Sequence, residues 1–335
     1  MPLNSNDVTP SCKISVLMPV YNAAPYLVAS VASIIEQEFR DWEMICVNDG
    51  SRDESLEILQ RFASIDSRIR VIDQSNAGIV AALQRAIDEA RGELLARMDA
   101  DDISVASRFG KQVEFLARHP DVVVVGGAAL EIDSDGDPLR ITQYPSQSDL
   151  LVQRLLKRHS ALIHPSVMMR RQAVQQVGGY RPKYQWVEDH DLWLRISQIG
   201  KLANIDSILL GYRQHASSVC WQRSHTQREL MNELLREAHQ QRGLCCPSEV
   251  LLDAVKVRSQ GGPGKWTRIA LRGGHTQTAK KHLKALWKSN DSWRYKWRMT
   301  LEFAVRYSAA LARPQGEEAD KILPDLSAWR SRIAA

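Results

Sequence analysis

The chain has 335 residues, of which 44% are hydrophobic and 25% are charged, and its formal net charge at pH 7 is +5. This composition excludes a disordered or fibrous chain, and the length suits one sizeable packed domain with an appendage, or two small domains. The net charge is too mild to indicate a nucleic acid partner on its own.

The first half of the chain alternates short apolar runs with amphipathic stretches. The apolar runs, predicted as strands, are 14–20, 43–47, 70–72, 93–98 and 122–125. The amphipathic stretches, predicted as helices, are 26–38, 53–64, 77–90 and 108–118. This alternation indicates βαβ units, and strands that are apolar throughout suit a sheet covered on both faces. We therefore predict an α/β fold with a Rossmann-like, mostly parallel sheet flanked by helices.

The pattern changes after Gly127. Two short strands, 129–132 and 139–141, flank the turn sequence DSDGD and are predicted to form a hairpin. The elements predicted after the hairpin are a helix over 149–158, a strand over 167–169, a helix over 188–199, one or two strands over 202–212 and a helix over 225–242.

The last part of the chain is basic and rich in tryptophan, and we predict it to be mainly helical. Between Lys256 and Arg313 there are 14 Lys or Arg residues against two acidic ones, with four Trp residues among them. Basic residues interleaved with Trp suit an anionic membrane surface, where indole rings lie at the headgroup level. The alternative is a solvated helical appendage whose Trp residues pack on the rest of the chain or form an oligomer contact.

The first residues of the chain, its apolar stretches and its cysteines indicate the cellular compartment to expect. The first 12 residues are polar and lack the apolar core of a signal peptide, so we expect a flexible tail over 1–12. No apolar stretch approaches the roughly 20 residues that span a bilayer. The five cysteines include no CxxC pair and no zinc-type spacing, which favours reduced thiols in a cytoplasm, with Cys46 as a buried thiol.

An acidic cluster, MDADDI, directly follows a predicted strand. Its carboxylates therefore stand at the carboxyl end of that strand, where ligands bind in open α/β sheets. Asp99, Asp101 and Asp102 repel one another unless a cation is bound, and Mg²⁺ takes one or two protein carboxylates together with substrate phosphates. The alternative is an acidic helix N-terminus, with Asp101 or Asp102 capping the helix that starts near residue 107.

Two further motifs stand at the ends of predicted strands. In NDGS, Asp49 is suited to accept a hydrogen bond from a nucleobase N–H such as uracil N3–H, or else it makes a turn before the next helix. In PVYN, Pro19 ends the first strand. Tyr21 offers a ring that stacks on a base, or else it is a buried turn tyrosine.

The motif VEDHDLW precedes an amphipathic helix. Glu188 and Asp189 are either a capping pair that complements the helix dipole or a general base held over an acceptor. The two roles compete, because a helix N-terminus lowers the pKa of a carboxylate whereas a base benefits from a raised pKa. Burial of the carboxylates, or repulsion from Asp191, would offset the dipole.

Two histidine motifs, HPSV and YRQH, complete the set. His215 beside Arg213 is suited to bind a diphosphate or to complete a metal site. A lone histidine, including His164 of HPSV, is more often a structural residue than a ligand.

The order and spacing of these motifs together resemble those of the family 2 glycosyltransferases. The resemblance rests on PVYN, NDGS, NAG at 76–78, ARMDADD and VEDHDLWLR, and it covers about residues 13–220. HPDVVVVGG, HPSVMMRR and VGGY are similar to the bacterial branch that builds surface polysaccharides. The resemblance implies a GT-A fold. The implied division is a catalytic domain over 13–225, with its nucleotide-binding half over 13–103 and its acceptor-binding half over 104–225, followed by a basic, mainly helical region over 226–335.

The resemblance also implies a role for each site residue. The residues that match the nucleotide pocket are Pro19, Tyr21, Asp49, Asn76 and Asp99. The residues that match the site of a divalent metal, Mn²⁺ or Mg²⁺, are Asp101 as the principal ligand, Asp99 and His215. Asp189 matches the catalytic base, with Glu188 and Asp191 beside it as supporting carboxylates.

The implied activity is an inverting transfer of sugar from a nucleotide diphosphate donor. The metal would neutralise the diphosphate, while Asp189 would deprotonate a hydroxyl of a glycan or lipid-linked acceptor for a single displacement. Asp49 favours UDP as the nucleotide, although dTDP offers the same N3–H. The expected location is the cytoplasm or the inner face of the cell membrane, with no nucleic acid as a partner.

Three other functions compete with this one. A sugar nucleotidyltransferase would carry a Gly-rich, Arg-containing loop after the first strand, and PVYNAAPY has none. A non-catalytic nucleotide-sugar-binding protein would not need both the acidic cluster and the Glu188–Asp189 pair. A dinucleotide oxidoreductase would show G-x-G-x-x-G after the first strand, and this sequence does not.

Overall fold

The computed structural model describes residues 12–215, 224–251, 262–311 and 322–334. The strands are β1 (Ile14–Val20), β2 (Trp42–Asp49), β3 (Ile69–Gln74), β4 (Leu94–Arg97), β5 (Ile103–Ser104), β6 (Val122–Ile132), β7 (Pro138–Thr142), β8 (Met168–Arg170) and β9 (Lys201–Arg213). In the described part of the chain they form one sheet in the order β3–β2–β1–β4–β8–β6–β9–β5, with β7 paired to β6. The ladders among β1–β4 and the ladder of β6 with β9 are parallel, whereas β5, β7 and β8 run antiparallel to their partners.

Helices flank this sheet, and the predicted α/β fold is confirmed. The helices are α1 (Ala24–Ile35), α2 (Ser55–Ile65), α3 (Ile79–Glu89), α4 (Arg108–Arg118), α5 (Ser148–Leu156), α6 (Arg171–Gln176), α7 (Glu188–Ile196), α8 (Ser224–Gln241), α9 (Pro263–Gly273), α10 (Thr276–Lys288), α11 (Trp293–Leu311) and α12 (Ser327–Ala334). Cys46 on β2 is fully buried as predicted, and burial raises the pKa of its thiol to about 12. Cys220 and all but the last residue of the predicted tail over 1–12 lie outside the described residues.

The alternation of side chains along the central strands explains why helices cover both faces of the sheet. Val16 of β1 faces one core, with Leu27 of α1 and Phe62 of α2. The next residue, Leu17, faces the other core, with Leu83 of α3. Each such side chain stabilises the fold by about 1.5–3 kcal/mol when it is fully buried. The central strands therefore form a firm base for the loops at their ends.

The central strands end close together. β1 pairs with β2 as far as Val20 and Asn48, and with β4 as far as Leu17 and Arg97. PVYN, NDGS and the acidic cluster stand at these three ends. Because parallel strands share one direction, the three motifs meet at one edge of the sheet.

β6 is longer than predicted. The sequence predicted separate strands over 122–125 and 129–132, but Val122–Ile132 is one strand that pairs along its length with β9. Gly126 and Gly127 permit the close approach of the two strands, because a Cβ on either would lie 2.7 Å from a side-chain atom of β9. β9 is likewise a single strand, and its last residues reach the acidic cluster.

The C-terminal helices pack on the sheet region at two places. α9, α10 and α11 pack on one another and on β7, around Leu139. α12 packs on α1 and α2, where the ring of Trp329 lies 5.8 Å from that of Phe62 and its indole N–H donates to Glu36 at 3.1 Å. None of the described helices combines the length and the apolar composition that crossing a bilayer requires.

Candidate active site

Three carboxylates converge in the loop between β4 and β5. One oxygen from each of Asp99, Asp101 and Asp102 lies within 4.8 Å of the others. The alternative prediction, in which Asp101 or Asp102 caps a helix, is wrong, because β5 intervenes and α4 begins only at Arg108. Burial and the charges of Asp101 and Asp99 raise the pKa of Asp102 well above its ordinary value. A cation at this loop would relieve that repulsion.

Each of the three carboxylates is oriented by a different partner. The Asp99 carboxylate forms an ion pair with the guanidinium of Arg97. The Asp101 carboxylate lies 2.7 Å from Nε2 of His215, and that of Asp102 accepts a hydrogen bond from the backbone N–H of Arg213 at 2.8 Å. The end of β9 therefore brings His215 to the acidic loop, where the sequence predicted it.

Arg97 lies beside the acidic loop, although none of the sequence motifs indicated a role for it. It is 1% exposed, and its Nε has no hydrogen-bond partner among the described residues. A charged residue in the apolar run LLAR was the available signal, because a buried guanidinium requires a nearby anion. Burial and the charge of Arg97 lower the pKa of His164 well below its ordinary value, so this histidine is a neutral, structural residue bonded to the Tyr180 hydroxyl at 2.7 Å.

Glu188 and Asp189 open α7 beside the acidic loop. Burial and the charge of Asp189 raise the pKa of Glu188 to about 7. Burial likewise raises the pKa of Asp99, and the charges of Asp101 and Asp189 add to this against the effect of Arg97. Asp189 and the acidic loop therefore lie close enough to interact. The residue before α7 is Val187, which provides no side-chain cap, and Glu188 and Asp189 lie instead in the first turn of the helix, where their charges complement its dipole.

Asp191 requires a correction. Its side chain is fully buried and forms ion pairs with Arg181 and Arg195, and Arg181 also pairs with Glu237 of α8. Two guanidinium groups thus neutralise its charge. The sequence suggested that Asp191 supports the base. In the structure its ion pairs instead hold α7 in place.

Asp49 organises the loop that follows β3. Its carboxylate accepts hydrogen bonds at 2.8 Å from the side chain of Gln74 and from the backbone N–H groups of Ala77 and Gly78. Asn76 donates from its side chain to the carbonyl of Asp49 at 2.9 Å. Asp49 thus has a structural role in the loop after β3, which differs from the turn before the next helix that the sequence offered as the alternative. A carboxylate offers about four acceptor positions, so one remains for a ligand N–H.

The loop after β1 carries the predicted stacking residue. Tyr21 is 52% exposed, so the alternative of a buried turn tyrosine is wrong. Pro19 is partly buried and does not end β1 as predicted, because the strand and its pairing with β2 continue to Val20. Asn22 joins this loop to the one after β2, since its backbone N–H donates to Ser51 and its side chain accepts from the Arg52 N–H. The loops that follow β1 and β2, which carry residues predicted to contact the nucleotide, are therefore hydrogen-bonded to each other.

The predicted hairpin turn carries a second acidic group. Asp133, Asp135 and Asp137 surround the ammonium of Lys281 from α10, and His282 contacts Asp133 at 2.8 Å. Burial alone would raise the pKa of Asp133, but the hydrogen bonds from His282 and Lys281 hold it well below its ordinary value. The ammonium of Lys281 therefore takes the position among these three carboxylates that a metal ion would otherwise take.

Arg213 links the two acidic groups. Its guanidinium donates to the carbonyl of Asp101 at 2.8 Å and to the carbonyls of Asp133 and Ser134 at 3.1 Å. It also lies over the ring of Tyr26, at 4.8 Å from the centroid. In the sequence alone, Arg213 stands out only as the neighbour of His215. The structure connects it to the acidic loop, the hairpin and, through Lys281, the C-terminal region.

Comparison with known proteins identifies relatives of the chain. The sequence profile described as "Glycosyl transferase family 2" matches residues 15–178. "Putative glycosyltransferase EpsE" of Bacillus subtilis is 35% identical over 193 residues, covering 56% of this chain and 68% of that protein. "Amylovoran biosynthesis glycosyltransferase AmsE" of Erwinia amylovora is 31% identical over 210 residues, covering 61% of this chain and 77% of that protein.

Solved structures share the fold at low sequence identity. S. aureus TarS 1–349 in complex with UDP-GlcNAc has a TM-score of 0.55 at 16% identity, covering 96% of this chain and 88% of that one. The mannosyltransferase PcManGT from Pyrobaculum calidifontis, in complex with GDP-Man and Mn²⁺, has a TM-score of 0.51 at 17% identity, covering 97% and 87%.

Proposed function

Because the chain belongs to glycosyltransferase family 2, we propose that it transfers a sugar from a nucleotide diphosphate donor to a hydroxyl of a glycan or lipid-linked acceptor, with inversion. We infer that residues 13–225 are the catalytic domain. The observation that carries the proposal is the convergence of the three carboxylates of the acidic loop at the sheet edge that also carries Asp49, with Asp189 of α7 close enough to interact with Asp99.

The acidic loop suits a divalent metal, Mn²⁺ or Mg²⁺. Carboxylate oxygens are the ligands that such hard ions prefer, and the pKa of Asp102 is raised by its burial and by the neighbouring charges of Asp101 and Asp99, which a cation would offset. Asp101 and Asp99, with His215 beside them, would hold the metal. When bound, the metal would supply stabilisation of the charge on the leaving diphosphate. The Mn²⁺ complex of PcManGT, which shares the fold, supports this assignment.

Asp189 is the proposed general base. It lies in the first turn of α7, close enough to the acidic loop to interact with Asp99, so its carboxylate is placed to accept the proton of an acceptor hydroxyl. Glu188, buried next to it, has a raised pKa and is partly protonated near neutral pH. The acceptor oxygen would then displace the diphosphate from the opposite face of the sugar, which inverts the anomeric centre in one step.

UDP is the proposed nucleotide. The remaining acceptor position of Asp49 suits the N3–H of uracil, and the exposed ring of Tyr21 suits stacking on a base. The UDP-GlcNAc complex of TarS shows that a protein of this fold binds such a donor. The N3–H of dTDP offers the same contact, and the GDP-Man complex of PcManGT shows that the fold itself does not fix the base.

The proposed setting is the synthesis of a bacterial cell-surface polysaccharide, in the cytoplasm or on the inner face of the cell membrane. The relative named for amylovoran biosynthesis supports this setting. A sugar nucleotidyltransferase or a non-catalytic nucleotide-sugar-binding protein is the competing function. Release of free nucleoside diphosphate in the presence of acceptor would separate the proposed transferase from both.

A thermal-shift panel of nucleotide sugars, with and without Mn²⁺, tests the donor and the metal together. A ligand that binds only the folded chain stabilises it by mass action, by about 2.7 kcal/mol at a hundredfold excess over Kd, and so raises its melting temperature. We expect a UDP-sugar to give a shift that requires Mn²⁺ and that Asp101→Asn removes.

The matched control for this panel is Asp121→Asn, which changes an acidic residue at the start of β6 that is paired with Lys201. It should keep the full shift. A shift in Asp101→Asn equal to that of the unmodified chain would contradict the metal assignment.

A further inference from the structure

α11 is amphipathic, and its inner face is occupied by the neighbouring helices. Met299 on this face is fully buried, and Phe303 and Tyr307 pack in the small core that α9 and α10 share with β7. Arg268 of α9 forms an ion pair with Glu302 of α11 at 2.8 Å. The helix is therefore fixed to the protein along one side.

The outer face of α11 carries a row of exposed apolar side chains at four-residue spacing. Trp293 is 67% exposed, Trp297 is 51%, Leu301 is 63% and Val305 is 80%. Residues four apart lie on one side of a helix, so these side chains form a stripe about 18 Å long. Trp287 of α10 extends the stripe, since its ring meets that of Trp297 edge-on at 5.5 Å. Large apolar residues clustered on one exposed face mark an interaction surface.

Basic residues surround this stripe. α10 and α11 together carry eight Lys or Arg residues and a single acid, Glu302, which is already paired with Arg268. Four of the basic side chains are exposed next to or between the apolar ones: Lys284, Lys288, Arg294 and Arg298. The partner that fits this face is therefore apolar within and anionic at its rim.

We propose that the outer face of α11 docks on an anionic lipid surface, with the helix lying in the plane of the bilayer. Indole rings prefer the headgroup level, and exposed Lys and Arg residues beside them are drawn to anionic headgroups. A second copy of this chain is a poorer fit, because the same Arg residues would face one another across the contact. The proposal goes beyond the sugar-transfer chemistry and does not depend on it.

Vesicle sedimentation of the full chain tests this proposal. We expect sedimentation with phosphatidylcholine vesicles that contain a minority of phosphatidylglycerol, little with phosphatidylcholine alone, and release at high salt. Leu301→Ser combined with Val305→Ser should weaken the binding roughly tenfold or more, because two exposed apolar anchors are lost. Arg294→Gln combined with Arg298→Gln should weaken it and reduce its salt dependence.

The matched control is Ile65→Ser combined with Leu244→Ser, two apolar residues outside α10 and α11 that are 47% and 51% exposed. It should bind vesicles like the unmodified chain. Equal binding to neutral vesicles, or no effect of the α11 serine pair, would overturn the proposal. So would self-association without lipid that the serine pair abolishes, because the face would then be a contact between copies.

The lipid and donor sites can be tested separately. The serine pair should keep the Mn²⁺-dependent thermal shift with UDP-sugar, and Asp101→Asn should sediment with anionic vesicles like the unmodified chain. If the unmodified chain shows only one of the two properties, the proposal for the other property fails. If either variant loses both properties, the two sites are not independent.

Discussion

Glu188 and Asp189 are adjacent in sequence but stand in different environments. Glu188 is buried beside a second negative charge, which raises its pKa to about 7. Asp189 is partly exposed in the first turn of α7. A buried carboxyl group with a raised pKa next to a partly exposed one suits a site in which the exposed group accepts the proton of a substrate hydroxyl.

Asp189→Asn is expected to abolish sugar transfer while nearly preserving donor binding. The amide cannot accept the proton of the acceptor hydroxyl, and loss of a general base costs about 10²–10⁴ in rate. Initial rates of transfer, set beside the thermal shift with UDP-sugar and Mn²⁺, measure the two effects. Asp206→Asn, which changes an exposed acid on β9 bonded to Gln143, is the control and should keep both. Normal turnover of Asp189→Asn would exclude it as the base.

Glu188 is expected to make stability depend on pH. Its folded pKa is about 7 and its ordinary value is 4.5, so the folded state holds the proton more tightly than the unfolded state. Stability is then greatest below the unfolded pKa and falls, by up to a few kcal/mol, as the pH rises from about 4.5 through 7. Urea unfolding across this range should show the fall, and Glu188→Gln should flatten it.

The control for that series is Glu114→Gln, an exposed acid on α4 that pairs with Arg118. It should leave the slope unchanged. If Glu188→Gln shows the same fall in stability as the unmodified chain, another group is responsible for it.

At the scale of elements, the acidic loop depends on segments that are distant in sequence. The end of β9 supplies Arg213 and His215, and the hairpin of β6 and β7 supplies the carbonyls that Arg213 binds. α10 then fixes the hairpin through Lys281 and His282. The loop proposed to hold the metal is therefore positioned by a strand, a hairpin and a helix in series.

Lys281→Met is expected to destabilise the fold. It would leave Asp133, Asp135 and Asp137 together without their cation, at a cost of about 1–3 kcal/mol in the free energy of unfolding, because Asp133 is buried. Urea unfolding measures this. Lys284→Met, an exposed lysine one turn later on the same helix, should have little effect. An unchanged free energy for Lys281→Met would show that the hairpin does not need α10.

At the scale of the whole molecule, the C-terminal region is attached to the sheet region by polar and apolar contacts. Lys281 reaches the hairpin, α9 packs near Leu139, and Trp329 packs on α1 and α2. These attachments leave the outer face of α11 exposed. A fixed orientation of α11 relative to the catalytic residues would hold the acidic loop at a constant distance from the lipid surface that we propose α11 binds.

The sequence by itself determined the central sheet and the position of the acidic loop. The apolar runs of β1, β2 and β4 and the helical periods between them are local patterns, and parallel pairing then places PVYN, NDGS and DADD at one edge. Separate strands were wrongly predicted within β6, because the packing that tolerates Gly126 and Gly127 comes from β9.

Only the tertiary structure decided which charges meet. The backbone N–H of Arg213 donates to the Asp102 carboxylate across 111 residues, and the ammonium of Lys281 donates to the Asp133 carboxylate across 148. At such separations no local pattern predicts a partner. For the same reason Asp191 looked like a neighbour of the base but is held by Arg181 and Arg195. Local periodicity fixes whether a side chain is on a strand or a helix, whereas the partner of a charged group depends on how distant segments pack.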